Sequence, residues 1–82
     1  MYDMNVKINW EHKRCKHALE RMWLRGISMK EVRDAVSIGQ KHKQKATGLT
    51  EAMHRYYSIV YQEYINKELN LHKIYPVTVK VW

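Results

Sequence analysis

Apolar and polar residues alternate over Met4, Val6, Ile8 and Trp10, with Asn5, Lys7, Asn9 and Glu11 between and after them. That two-residue period predicts a short half-buried strand or an extended lead-in. The period then changes. Cys15, Leu19 and Met22 recur at i, i+4 and i+7, and Ala18 and Trp23 widen the stripe, which predicts a helix over about residues 11–25. Gly26 can take the left-handed conformation that ends a helix, and Ile27 sits where an apolar side chain folds back on the last turn. Ser28 and Glu31 follow as an S-x-x-E capping box. A second helix is expected over about 29–38, with Met29, Val32, Ala35 and Val36 toward the core and Gly39 as its stop.

The C-terminal half reads as strands. Lys41, Lys43 and Lys45 alternate with His42, Gln44 and Ala46, so an extended segment here carries three lysines on one face, as edge strands often do. Gly48, Thr50 and Glu51 read as a turn. Residues 53–65 form the clearest strand, with Tyr57, Ile59, Tyr61 and Ile65 on one face and Tyr56, Val60 and Tyr64 on the other. Apolar content on both faces suggests a central position. Residues 66–70 read as a turn and 71–82 as a returning strand, in which Pro76 forces a local edge, bend or bulge. Two helices followed by strands predict one α+β domain spanning residues 1–82, with both N-terminal helices on one face of a three- to four-stranded antiparallel sheet.

Composition sharpens this picture. The chain has 82 residues, and a domain of that size buries only about 60% of the surface its unfolded chain exposes. Three Trp and six Tyr without any Phe suit a small sheet with one wet face. The single Cys15 excludes an internal disulfide and a Cys-based zinc site, and fits a reducing, cytoplasmic setting. No apolar run approaches the roughly 20 residues of a membrane span, and no signal-peptide core is read at the N-terminus.

Fifteen Lys/Arg against eight Asp/Glu give a net charge of +7. A basic domain this small attracts polyanions through counterion release. RNA, DNA, an acidic protein and an anionic membrane surface all satisfy charge alone. Arg14, His17, Arg21 and Arg25 share one stripe of the first helix, spaced three, four and four residues apart. Guanidinium groups pair with phosphate oxygens through two parallel hydrogen bonds, and imidazole transfers protons near neutral pH. The stripe therefore suits a phosphodiester, or serves as a solvated basic face. Glu20 orients His17, acts as a base, or simply pairs along the helix. The five histidines show no metal-ligand spacing, so neither metal nor cofactor is expected. An outward tyrosine beside His54, Arg55 and the lysines can stack an unpaired base.

The segment His17-Ala18-Leu19-Glu20-Arg21-Met22, then Arg25-Gly26-Ile27-Ser28 and Glu31-Val32, resembles a widespread prokaryotic family catalogued as a domain of unknown function. Tyr56–Tyr61 and Pro76–Val79 fit that family's later strands. The family in turn resembles RelE-type toxins of the barnase–colicin–RelE endoribonuclease superfold. The resemblance implies a RelE/barnase-like fold, a cytoplasmic toxin–antitoxin setting and metal-independent RNA cleavage. His17 then takes the proton-transfer role, and Arg21 and Arg25 hold the phosphate, with Glu20 and His54 as further acid–base candidates. Arg14, Lys41, Lys43, Lys45, Arg55, Tyr57 and Lys80 are the expected substrate-binding residues. The expected partners are RNA and an acidic antitoxin-like protein, with no membrane. The competing expectation is a non-catalytic basic module that binds nucleic acid or an acidic partner.

Overall fold

The computed structural model describes residues 6–69 and 71–82; Met4 of the expected first strand and Asn70 of the last turn lie outside the described residues. The elements are β1 (Val6–Ile8), α1 (Cys15–Arg25), α2 (Met29–Ile38), β2 (Gln40–Lys43), β3 (Thr50–His54), β4 (Tyr57–Asn66) and β5 (Leu71–Val81). The strands form one sheet in the order β1-β5-β4-β3-β2. β1 runs parallel to β5, with Val6 opposite His72 and Ile8 opposite Ile74, and every other neighbouring pair is antiparallel. The described residues therefore form a small α+β domain with a five-stranded mixed sheet.

This corrects the expectation of three to four antiparallel strands, for two reasons. Residues 53–65 are not one strand. A two-residue turn at Arg55-Tyr56 splits them into β3 and β4, with Met53 opposite Ser58 and His54 opposite Tyr57. None of the usual turn residues marks the place. Arg55 itself takes the left-handed conformation at φ 56°. Thr50 and Glu51, expected in a turn, open β3 instead, and the turn falls at residues 44–49. The second reason is that the chain's first strand finds its partner in the last one. β5 lies between β1 and β4, antiparallel to β4 and parallel to β1.

The two helices and the inner sheet face share one core. Met22 and Ile27 meet Val32, Ala35 and Val36 of α2 and Ala52, Tyr57, Ile59, Tyr61, Ile74 and Val79 of the sheet. α1 packs along β5, whereas α2 packs on β3 and β4. The junction between the helices follows the sequence closely. Gly26 is left-handed (φ 72°, ψ 29°), the Ile27 N–H donates to Met22 O at 2.9 Å, and Ile27 is buried. The capping box is complete: the Glu31 N–H donates to Ser28 Oγ at 3.2 Å, and the Ser28 N–H to Glu31 Oε1 at 2.9 Å.

Glu31 also ties α2 to the β3–β4 turn. The Tyr57 hydroxyl donates to Glu31 O at 2.8 Å, and the Tyr56 hydroxyl to Glu31 Oε2 at 3.1 Å. At the other end of α2, Gly39 is extended (φ −72°) rather than left-handed. Its smallness has another cause, because an added Cβ would lie 2.4 Å from Ala35 O and 2.9 Å from Met53 O. Pro76 sits opposite Tyr61 at a register shift, beyond the stretch of β5 that β1 covers. The strand is a local edge there and loses no ladder hydrogen bond to the missing N–H.

Candidate functional site

α1 brings the basic stripe to the surface because its buried side is narrow. Only Cys15, Ala18 and Met22 are buried, and Leu19 packs partly against the core. Trp23, expected to widen the apolar stripe, instead points outward and is 86% exposed. Arg14 caps the helix without a side-chain cap bond, and residues 11–14 form turns rather than the expected first helical turn.

Two side chains of the stripe meet. The Arg21 Nε–H donates to His17 Nε2 at 3.4 Å. Such a bond needs the Nε2 lone pair, so the imidazole proton sits on Nδ1. His17 and Glu20 line a shallow groove of about 400 Å³ with Lys13, Arg14, Lys16 and Val77. Val77 is the residue that the register shift leaves between Thr78 and Pro76, each of which has a partner on β4. The groove thus joins an imidazole, a carboxylate and three cationic side chains, with Arg21 against the imidazole. Arg25 follows one turn on, at the last position of α1, exposed and outside the groove.

The remaining predicted residues lie elsewhere. Lys41 and Lys43 are on β2, and Lys45 is in the following turn. β2 is three strands from β5, about 14 Å across the sheet at the usual strand spacing. Lys41 Nζ donates to Gly39 O at 2.9 Å, and burial pulls its ammonium below the ordinary lysine pKa. His54 meets Tyr57 edge-on, with ring centroids 5.9 Å apart. Tyr57 is a core residue, 1% exposed, and burial raises its phenol pKa. Arg55 holds the β3–β4 turn. Lys80 lies on the sheet face away from the helices, 3.6 Å from Glu51 Oε2.

That outer face holds a cluster the sequence did not reveal. The Ser58 hydroxyl donates to Glu51 Oε2 at 2.7 Å, and Gln44 Nε2 donates to Glu51 Oε1 at 3.5 Å. The Ser58 hydroxyl, and secondarily Lys80, hold the Glu51 carboxyl below the usual carboxylate range against the opposing effect of burial. Every polar atom in this cluster is already partnered within the fold, so it serves as a brace between β3, β4 and β5. Lys13 and Lys16 were also missed as groove residues. Their positions four before and one before His17 are the only signal the sequence carried.

Among the described residues, no helix is long and apolar enough to cross a membrane. Compared with known proteins, the chain matches no family model, no curated protein and no solved structure.

Proposed function

We propose that the protein binds RNA in the α1 groove and cleaves it there by metal-independent transesterification. The observation that carries this reading is the placement of His17 and Glu20 in one groove with Lys13, Arg14 and Lys16. Cleavage of this kind needs a base, an acid and positive charge at one phosphate. The Glu20 carboxylate takes the 2′-hydroxyl proton. The 2′-oxygen attacks phosphorus, and the bond from phosphorus to the 5′-oxygen breaks. His17 enters this step as the imidazolium, released from its contact with Arg21, and gives its Nδ1 proton to the leaving 5′-oxygen, returning to the neutral ring. The products are a 2′,3′-cyclic phosphate and a 5′-hydroxyl end. Lys13, Arg14 and Lys16 neutralise the phosphate, and Arg21, displaced once the ring is protonated, joins them. Arg25 extends the positive field at the end of the helix. The net charge of +7 draws the strand in.

The resemblance of the His17–Val32 segment to the toxin-like family points to the same chemistry and to a cytoplasmic protein. The lysines of β2 and its turn, three strands from β5, are too distant for the reacting phosphate, and together with Arg55 they steer RNA at long range. Incubating purified protein with total RNA and a chelator tests the reading. Cleavage that is lost in His17→Ala and Glu20→Gln supports it, and cleavage that persists in both variants removes this groove as the catalyst.

A second reading rests on the Arg21–His17 bond, which occupies Nε2 and leaves the imidazole one free nitrogen. On that reading the domain only holds a polyanion, either nucleic acid or an acidic partner protein. Salt-sensitive binding without any RNA product in the same assay favours it.

A further inference from the structure

The groove around His17 continues into a second one. Lys16, Leu19, Glu20, Trp23 and Leu24 line an adjoining, largely apolar groove of about 560 Å³. Lys16 and Glu20 belong to both grooves. Trp23 is 86% exposed and Leu24 74%, while Leu19 forms the partly buried floor. Trp23 lies six residues beyond His17, about 9 Å along the helix axis and about 120° around it, and the shared residues Lys16 and Glu20 lead from one groove to the other.

An indole left this open gains nothing from the fold, since burial is what an aromatic ring contributes to stability. Its neighbours identify an occupant. Between residues 13 and 25 the chain carries Lys13, Arg14, Lys16, Arg21 and Arg25 against the single acid Glu20. A second copy placed α1 against α1 would set these cations against one another, so charge disfavours self-association. Bases attached to a phosphate chain meet both requirements at once. The π-face stacks on indole, and the linking phosphate lies against the cations of the adjoining groove.

We infer that Trp23 is the stacking platform for an unpaired base of the strand whose backbone runs on into the adjoining His17 groove, which makes single-stranded RNA the substrate class. This rests on the RNA reading proposed above. A base paired in a duplex presents no free face to an indole projecting from a helix surface, so the site selects unpaired nucleotides.

The test measures binding of a 2′-O-methyl RNA hexamer, which cannot be cleaved at its 2′ positions, by fluorescence anisotropy. Three comparison ligands are a hexamer with one abasic position, a duplex, and heparin as a polyanion without bases. Trp23→Leu is expected to weaken hexamer binding by about 5- to 150-fold, the usual cost of losing one base–aromatic stack. Trp23→Phe retains most of the affinity. Trp82→Leu, which removes another exposed indole (69%), leaves it unchanged. The abasic hexamer loses affinity for the wild type and loses no more for Trp23→Leu. Heparin binding stays the same in every Trp23 variant.

Equal affinity of wild type and Trp23→Leu for the hexamer overturns the inference and leaves the RNA reading standing. Equal losses for hexamer, duplex and heparin also overturn it. A wild-type dimer that Trp23→Leu dissolves gives the groove to a second copy instead. Failure of the wild type to bind any of the nucleic acids removes the RNA reading itself.

Discussion

Arg21 stands one helical turn beyond His17 and donates its Nε–H to the imidazole Nε2 at 3.4 Å. The contact uses the lone pair of a neutral imidazole with its proton on Nδ1, and it opens when the ring is protonated. Removing the imidazole removes the proposed proton donor without disturbing the core, because His17 is exposed. His17→Ala is expected to keep the far-ultraviolet circular dichroism of the wild type. Its RNA cleavage is expected to fall by about 10²- to 10⁴-fold, the usual contribution of a positioned acid or base. Arg21→Ala loses less, since it frees the ring without removing it. A His17→Ala variant with wild-type cleavage contradicts the assignment.

Gly39 carries a structural prediction. A methyl group there meets two backbone oxygens, Ala35 O and Met53 O, neither of which can swing aside. Gly39→Ala is expected to cost about 1–3 kcal/mol through overpacking. Urea unfolding measures this, and a variant with the wild-type midpoint contradicts the close approach.

Arg55 carries the opposite one. Its φ of 56° is costly for any residue with a Cβ. Arg55→Gly relieves that strain at the price of a looser unfolded chain, and is expected to stabilise the fold by about 0.5–1 kcal/mol. Thermal unfolding reads the shift, and a lowered midpoint contradicts the account of the turn.

The Glu51–Ser58 pair sets a pH dependence. Ser58 is fully buried and donates to the carboxylate. Ser58→Ala is expected to cost about 1.5–3 kcal/mol at neutral pH, as for other hydrogen bonds to a charged group. The Glu51 carboxyl titrates lower in the folded protein than in the unfolded chain, where glutamate titrates near about 4.3. Its stabilisation is therefore complete above that pH and is lost as pH falls through the lower folded value. The gap between wild type and Ser58→Ala is expected to close in that acid range. A gap that widens there contradicts the assignment.

The helical half of the chain was legible because its signals are local. Gly26, Ile27, Ser28 and Glu31 specify a stop and a start through bonds within a few residues. The observed α2 has the expected bounds, Met29–Ile38. The sheet was harder because its decisive facts are not local. The Arg55-Tyr56 turn uses a strained arginine where a glycine or asparagine would have announced it. The parallel pairing of β1 with β5 joins the two ends of the chain. Trp23 misled for a related reason. Its place in the helical period fits the apolar stripe, but β5 and the core reach only as far around α1 as Leu19. The His17–Arg21 pair followed from a four-residue spacing. The gathering of Lys13, Lys16 and Glu20 with Val77 depended on a bulge that Pro76 signalled only as one of several alternatives.

RNA seated in the α1 groove would register in the backbone amide chemical shifts of that helix. The wild-type protein, labelled with ¹⁵N, is titrated with an uncleavable single-stranded RNA hexamer. Shifts are expected to concentrate at residues 13–24 and at Val77, with little change along β2. Shifts confined to Lys41, Lys43 and Lys45, or an unchanged spectrum at saturating RNA, would contradict that seating.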